Sequence, residues 1–177
     1  MQTIKAIIFD WGDTLMRVFP QYEGPMAEWP QVELLHGADE ALAELSERFV
    51  CCVASNADDS DAELMGRALE RVGIRRHFRQ LWTSKELKAG KPHQDFFRRI
   101  VQRLGLQPQE CIMVGDDYRK DIMPAKSISM RTIWYTGTTR TDTAPHADEV
   151  IDSMADLPDA VMRMAEDVEV AARGRGR

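Results

Sequence analysis

Short apolar runs alternate with longer amphipathic patterns along this chain of 177 residues. The runs predict six strands, at residues 3–9, 49–54, 80–83, 111–114, 132–135 and 149–151. Strands that are apolar at nearly every position must be covered on both faces, and their alternation with helices is typical of parallel sheets. The sequence therefore predicts an α/β fold, a doubly wound, three-layer α/β/α Rossmann-like domain with a mostly parallel central sheet.

The helical spacing of apolar residues fills the intervals between these runs. It predicts helices at residues 38–48, 59–72, 93–104, 121–128 and about 157–171. A chain of this length typically forms one domain, and neither a repeat nor a change in composition marks a second one. We expect a single core domain over residues 1–170, followed by a disordered, basic and glycine-rich tail over residues 171–177.

The balance of charges and the cysteine positions exclude several classes of protein. With 23 Lys and Arg against 29 Asp and Glu, the chain lacks the basic excess that non-specific nucleic-acid binding requires. Cys51, Cys52 and Cys111 lie in apolar runs without metal-ligand spacing, which favours buried, reduced thiols. The first residues lack a signal-peptide pattern, and no apolar run approaches the roughly 18 residues of a membrane span. We therefore expect a cytoplasmic protein that binds neither nucleic acid nor membranes.

Polar residues follow several of the predicted strands at the point where each strand ends. In open α/β sheets, ligands bind beyond the carboxyl ends of the strands, so these residues are candidates for a site. A lysine in the loop "KAGKPH", which opens a predicted helix, joins them. The resulting set is Asp10, Ser55, Asn56, Lys91, Asp116 and Asp117.

Three carboxylates and one lysine at one edge of a sheet favour a reactive site. Like charges brought together cost several kcal/mol unless a cation lies between them, and a hard metal ion such as Mg²⁺ is the simplest cation to do so. A carboxylate beside Mg²⁺ and a lysine can attack an electrophile such as phosphorus and form a covalent aspartyl intermediate. The sequence therefore predicts metal-assisted nucleophilic chemistry.

Four segments resemble, in the correct order, the motifs of the haloacid dehalogenase superfamily. They are "IIFDWGDTL", "VCCVASN", "GKPHQDFF" and "IMVGDDYRKD". The resemblance implies the fold of that superfamily and a Mg²⁺-dependent phosphatase with an aspartate nucleophile. Many members carry a separate cap domain, but here only "MRVFPQYEGPMAEWPQVE" separates the first motif from the first helix. The chain therefore resembles a capless member.

The resemblance assigns a metal site to five residues. Asp10 would be both the nucleophile and a metal ligand, and the backbone carbonyl of Gly12 would be a second ligand. Asp116 would bind the metal directly. Asp117 or Asp121 would hold a metal-bound water or orient the lysine, and the sequence leaves open which of the two lies nearer the metal.

The resemblance also assigns the groups that would hold the substrate. The hydroxyl of Ser55 and the backbone amide of Asn56 would bind phosphoryl oxygens, and Lys91 would neutralise charge on the nucleophile and on the transferring group. Trp11, the neighbour of the nucleophile, is a candidate to contact the substrate. The expected partner is a phosphorylated small molecule or a larger phosphorylated partner, and a homo-oligomer is compatible with the sequence.

Position 12 departs from the family pattern. The phosphatases of this family usually carry a second aspartate two residues after the nucleophile, where it protonates the leaving oxygen, and this help is typically worth about 10²–10⁴ in rate. Here the residue is Gly12, and Asp13 could substitute for the acid only if the loop rotates its side chain back toward the site.

Three alternatives therefore stay open at this stage. The substrate could carry a leaving group, such as an acyl or aryl phosphate provides, that departs without a proton. The bond cleaved could be something other than a phosphoester. Catalysis could also be impaired, so that the domain acts as a binding or scaffold module.

Overall fold

The structure is a computed structural model that describes residues 3–137 and 143–174, with side chains described as far as residue 166. Six strands form one sheet in the order β3-β2-β1-β4-β5-β6, and every neighbouring pair is parallel. Their bounds are β1 Ala6–Phe9, β2 Val50–Ser55, β3 Gln80–Thr83, β4 Cys111–Gly115, β5 Arg131–Tyr135 and β6 Glu149–Ile151. The predicted parallel α/β architecture is confirmed.

Helices cover both faces of this sheet, which gives the three predicted layers. Their bounds are α1 Ala38–Leu45, α2 Ala62–Arg71, α3 Ser84–Leu87, α4 Gln94–Leu104, α5 Met123–Ser127 and α6 Leu157–Gly174. Apolar side chains of α1, α2 and α6 pack on one face of the strands, against residues such as Ile7 and Val53. Those of α3, α4 and α5 pack on the other face, against residues such as Ile8 and Cys52. Alternate strand residues thus enter two separate cores.

Several boundaries differ from the prediction for local reasons. The strand predicted over residues 3–9 begins at Ala6. The helix predicted over 38–48 ends at Leu45, because the chain turns there and the N–H of Phe49 donates to the carbonyl of Leu45. The helix predicted over 59–72 begins at Ala62, because the carboxylate of Asp61 caps it by accepting the N–H of Leu64.

Three further helical segments differ from the prediction. The helix predicted over 121–128 is found as the shorter α5, and a π-helical turn over Tyr118–Ile122 precedes it. The short helix α3 is absent from the prediction, although Thr83 and Glu86 form a capping box at its start. The last helix, predicted to about 171, continues through Gly174, and residues 175–177 of the predicted tail lie outside the described residues.

The segment between β1 and α1 forms an ordered loop that packs on α2. The guanidinium of Arg71 donates hydrogen bonds to the backbone carbonyls of Ala27 and Trp29, at 3.0 and 2.7 Å. The aromatic rings of Phe19, Tyr22 and Trp29 contact one another in sequence. Among the described residues, no helix has both the length and the apolar character needed to cross a membrane.

The three cysteines are free and buried, as predicted. Burial raises the pKa of each of the thiols of Cys51, Cys52 and Cys111 to about 12. Since the thiolate is the reactive form of cysteine, these side chains are inert in the folded chain at neutral pH.

Candidate active site

A small cavity lies where the central strands end. Asp10 directly follows β1, Ser55 ends β2, and Asp116 follows β4, so three adjacent parallel strands deliver polar groups to one edge of the sheet. The backbone N–H of Asp10 donates to the carbonyl of Val114 at 2.9 Å and continues the sheet to this point. The cavity measures about 210 Å³ and is lined by Asp10, Gly12, Ser55, Asn56, Lys91, Asp116, Asp117, Lys120 and Asp121.

Lys91 lies at the centre of the site. Its Nζ donates to Oδ1 of Asp10 at 2.5 Å and to Oδ1 of Asp121 at 2.6 Å, and its side chain is only 5% exposed. Burial by itself would lower the pKa of Lys91, but the charges of Asp10 and Asp121 outweigh burial and raise the pKa above its ordinary value. Lys91 therefore remains a cation that binds two carboxylates at once.

The side-chain amide of Asn56 fixes the backbone at Lys91. Nδ2 of Asn56 donates to the carbonyl of Lys91 at 3.0 Å, and Oδ1 of Asn56 accepts the N–H of Lys91 at 2.8 Å. These two bonds hold the loop before α4 against the end of β2. The sequence assigned a role only to the backbone amide of Asn56, so the positioning role of its side chain is a new finding.

Three carboxylates meet beside Lys91. Oxygen atoms of Asp10, Asp116 and Asp121 all lie within 4.8 Å of one another. Burial raises the pKa of Asp116 to about 7, with further contributions from the charges of Asp10 and Asp121. Burial and the charge of Asp10 likewise raise the pKa of Asp121 to about 7, although Lys91 opposes them. Such a set of oxygen donors fits a hard divalent cation, which prefers carboxylate, carbonyl and water oxygens.

The structure distinguishes the roles of the two later aspartates. Asp121 belongs to the three-carboxylate group, whereas Oδ1 of Asp117 accepts the backbone N–H groups of Arg119 and Lys120 and caps the π-helical turn. The N–H of Asp117 donates to Oδ2 of Asp121 at 3.1 Å. A side chain on Gly115 would collide with the carboxyl of Asp121, so glycine lets this acid pack against the end of β4.

Thr14 is a site residue that the sequence analysis missed. Its buried hydroxyl lies 3.2 Å from Oδ2 of Asp10 and 3.0 Å from Oδ1 of Asp116, and it accepts the N–H of Asp116 at 3.1 Å. A hydroxyl has one proton, so it can donate to only one of these carboxylates at a time. Thr14 therefore links the end of β1 to the end of β4, and a hydroxyl shortly after the acidic strand end was the available signal.

Two predicted residues lie away from the cavity. The indole of Trp11 is buried in the apolar core, where its N–H donates to the sulfur of Met16, so the predicted contact of Trp11 with substrate is not found. Asp13 is exposed, and its carboxylate accepts the N–H of Val18 at 2.9 Å. The rotation that would bring Asp13 back to the site is therefore not found either.

Val18 also occupies the space next to Gly12. A Cβ atom built on Gly12 would lie 2.7 Å from Cγ2 of Val18, which is shorter than any normal carbon contact. The backbone of Gly12 lines the cavity, whereas the space for a side chain at this position is filled. A carboxyl at position 12 would need Val18 to move.

The fold and the site together define a class of α/β proteins with an acidic, lysine-containing centre at the ends of parallel strands. A family model described as haloacid dehalogenase-like hydrolase matches residues 17–128, which is more than half of the chain. The chain belongs to this family.

The chain is similar in sequence to two proteins that are named as phosphatases. The chain is 37% identical over 101 residues to glyceraldehyde 3-phosphate phosphatase of Methanocaldococcus jannaschii, covering 56% of this chain and 44% of the relative. It is 29% identical over 140 residues to ribulose-1,5-bisphosphate 5-phosphatase of Halopiger xanaduensis, covering 74% of this chain and 58% of the relative. The chain thus spans about half the length of these curated relatives.

A solved structure shares nearly the whole fold. An uncharacterized protein from Listeria monocytogenes serotype 4b superposes with a TM-score of 0.81 at 27% sequence identity. The match covers 92% of this chain and 99% of that one.

Proposed function

We propose that this chain is a capless, Mg²⁺-dependent phosphatase in which Asp10 is the nucleophile. The observation that carries this proposal is the contact of Lys91 with Asp10 inside a group of three carboxylates at the end of β1. The names of the two curated relatives, both phosphatases, support it. The loop that packs on α2 stands where many members carry a cap, which supports the capless assignment.

Each residue has a role in the proposed reaction. A carboxylate oxygen of Asp10 attacks phosphorus, an O–P bond forms, and the bond to the leaving group breaks with its electron pair on the leaving group. Ser55 and the backbone N–H of Asn56 bind phosphoryl oxygens, and Lys91 neutralises negative charge as it develops. Water then attacks phosphorus, and the O–P bond to Asp10 breaks with its electron pair on the carboxylate. Inorganic phosphate leaves, the protons of the water go to phosphate and to solvent, and Asp10 is restored.

Asp10, Asp116 and Asp121, with the carbonyl of Gly12, would hold Mg²⁺. When bound, the ion supplies positive charge that offsets the excess of carboxylates and stabilises the phosphoryl group in transfer. Thr14 orients Asp10 and Asp116 toward this place through its hydroxyl.

The environment of Gly12 supports a substrate whose leaving group departs without a proton. Position 12 offers no carboxyl, and Asp13 directs its carboxylate to the backbone of Val18. An acyl or aryl phosphate meets this requirement, because its leaving group is already stable as an anion. The substrate is a phosphorylated small molecule or a larger phosphorylated partner.

Hydrolysis of an aryl phosphate and of acetyl phosphate, with and without Mg²⁺, tests this proposal. We expect Mg²⁺-dependent turnover that falls by about 10³-fold or more in Asp10→Asn, as is usual when a nucleophile is removed. Asp13→Asn is the matched control, because asparagine tolerates the positive φ of 56° at this position, and its rate should stay within about threefold of the wild type. An equally large loss in Asp13→Asn would show that Asp13 is the acid.

Restoring a carboxyl at position 12 tests the assignment of the leaving group. Gly12→Asp alone collides with Val18, so the informative variant is Gly12→Asp combined with Val18→Ala. We expect the double variant to hydrolyse an alkyl phosphate about 10²-fold faster or more, with acetyl phosphate hydrolysis nearly unchanged. Val18→Ala alone is the control, and an equal gain for both substrates would contradict the assignment.

A binding or scaffold module with impaired catalysis is the second candidate, and Gly12 is the observation that favours it. Under this alternative the wild type binds Mg²⁺ and phosphate but hydrolyses none of the phosphate esters. A hydrolase of another bond type would give the same negative result with phosphate esters and would still lose its activity in Asp10→Asn.

A further inference from the structure

The cavity is small. Its volume of about 210 Å³ lies below the range of roughly 300–1,000 Å³ that is typical of pockets for small organic ligands. The proposed function places the transferring phosphoryl group inside this cavity. Any part of a larger substrate that this volume does not hold lies at the mouth, where residues other than the catalytic group contact it.

Lys120 is a cation at this mouth. Among the described residues that line the cavity, the positive charges are those of Lys91 and Lys120. Lys91 is buried and bound to two carboxylates, so it is committed to the catalytic centre. The side chain of Lys120 is 58% exposed, and the residue lines the cavity.

The present partner of Lys120 holds it weakly. Its Nζ lies 3.8 Å from Oδ2 of Asp117, close to the limit for an ion pair, and both side chains are in substantial contact with solvent. Exposed pairs of this kind contribute little stability, so an incoming anion can replace Asp117 at low cost. The backbone of Lys120 is nevertheless fixed, because its N–H donates to Oδ1 of Asp117 at 3.0 Å.

Lys120 and the proposed phosphoryl-binding groups lie on opposite sides of Asp10. Ser55 ends β2 and Asn56 follows it, on one side of β1, whereas Lys120 follows β4, on the other side. A substrate whose phosphoryl group lies between Ser55 and Asp10 can cross the mouth from the β2 side to the β4 side. Its remaining part then approaches Lys120.

We propose that Lys120 binds a second anionic group of the substrate and so determines substrate specificity. The substrate class is then a small phosphorylated compound that carries a carboxylate or a second phosphoryl group a few bonds from the reacting phosphorus. The inference rests on the proposed function only in placing a phosphoryl group in the cavity.

Arg119 provides a matched control for this role. It is the neighbour of Lys120, is exposed and carries the same charge, but it does not line the cavity. If only a general electrostatic attraction were at work, Arg119→Met and Lys120→Met would reduce the affinity for an anion equally. A specific contact would be lost only in Lys120→Met.

Three phosphonates, whose C–P bond replaces the scissile bond, separate recognition from turnover. Propylphosphonate carries no second anion, 3-phosphonopropionate adds a carboxylate, and propane-1,3-bisphosphonate adds a second phosphonate. Their dissociation constants would be measured by titration calorimetry at one fixed Mg²⁺ concentration for the wild type, Lys120→Met, Lys120→Arg and Arg119→Met. Thermal unfolding of each variant checks that it is folded.

We expect the wild type to bind at least one of the two compounds that carry a second anionic group roughly five- to tenfold more tightly than propylphosphonate. This is the gain expected of a charge-assisted contact at a partly exposed position. Lys120→Met should reduce this preference to less than about twofold, while Lys120→Arg and Arg119→Met retain it. Comparison of the two compounds identifies the second anion as carboxylate or phosphoryl.

Several results would overturn the inference. The first is that the wild type binds all three compounds equally tightly or binds none of them. The second is that Lys120→Met weakens the binding of propylphosphonate as much as that of the compounds with a second anionic group. The third is that Arg119→Met loses the preference to the same extent as Lys120→Met. Failure of the proposed function is a separate result, because it appears as absent Asp10-dependent hydrolysis while the preference that depends on Lys120 persists.

Discussion

Two clusters of charged residues in this molecule are built on opposite principles. At the start of β6, one carboxylate, that of Asp148, receives Lys126 at 2.5 Å and Arg131 at 3.6 Å. It also accepts hydrogen bonds from the N–H and the hydroxyl of Thr132. The second cluster, which we call the site cluster, has three carboxylates and one lysine, namely Asp10, Asp116, Asp121 and Lys91.

The difference indicates which cluster serves structure and which serves chemistry. The Asp148 cluster surrounds its carboxylate with positive groups and ties β5 to the chain before β6. The site cluster contains more negative than positive charge in a more deeply buried place. Burial first, and then the neighbouring negative charges, raise the pKa of both Asp116 and Asp121 to about 7. A structural role alone would not require such an arrangement. The site cluster lacks positive charge, and a divalent cation can supply it.

Removing the lysine from each cluster should give the largest contrast. Lys91→Met leaves three carboxylates, two of them buried, without their cation, and at pH 8 without Mg²⁺ we expect the free energy of unfolding to fall by about 3–5 kcal/mol. Lys126→Met removes a more exposed partner and should cost about 1 kcal/mol or less. Urea denaturation of both variants measures these values. Equal losses would remove the distinction between the clusters.

Removing a buried hydroxyl from each cluster sharpens the comparison. Thr14→Val and Thr132→Val each delete hydrogen bonds of a fully buried side chain, and each should lower the free energy of unfolding by about 1–3 kcal/mol. Only Thr14→Val should also lower kcat, by about 10- to 100-fold, as is typical when a group that orients metal ligands is lost. Steady-state kinetics and thermal unfolding of both variants test this prediction. A similar loss of kcat in Thr132→Val would contradict it.

A third contrast between the clusters is the dependence of stability on pH, where we expect a smaller effect. The pKa of Asp116 and that of Asp121 are raised from 3.8 to about 7 on folding, so the folded chain binds protons more tightly than the unfolded chain. Without metal, the free energy of unfolding therefore decreases as pH rises from about 4 to 7.

Mg²⁺ must displace these protons, so its binding should strengthen by about tenfold between pH 6 and pH 8 for each proton released. The increase in Tm caused by Mg²⁺, measured at both pH values, tests this expectation. Asp148→Asn should show the same pH dependence as the wild type. An increase in Tm that is equal at pH 6 and pH 8 in the wild type would contradict the proposed competition.

Much of the fold and the main site acids follow from the sequence, because strand ends are fixed by simple patterns. Asp10 and Asp116 each follow an apolar run, and parallel strands bring such residues to one edge whatever the details of the loops. The two helical layers follow from the same pattern, since strands that are apolar on both faces need cover on both faces.

The details of the loop after Asp10 do not follow from the sequence, because they depend on local hydrogen bonds. The N–H groups of Leu15 and Met16 both donate to the carbonyl of Trp11, and this tight turn places the Thr14 hydroxyl beside the carboxylates. The same turn sends the Trp11 indole into the core and leaves Asp13 outside. Side-chain directions in such a turn reverse with a small change in backbone angles, so residue spacing does not predict them.

The buried thiols make the chain a reporter of its own unfolding. All three cysteines are enclosed in the two cores that flank the central strands, and their raised pKa values keep them protonated. An alkylating reagent can therefore reach them only when the sheet opens, so the labelling rate measures global opening rather than fluctuation of the loops. Because no cysteine lies at the site, this measurement can be made on every variant described above without modifying the groups under test.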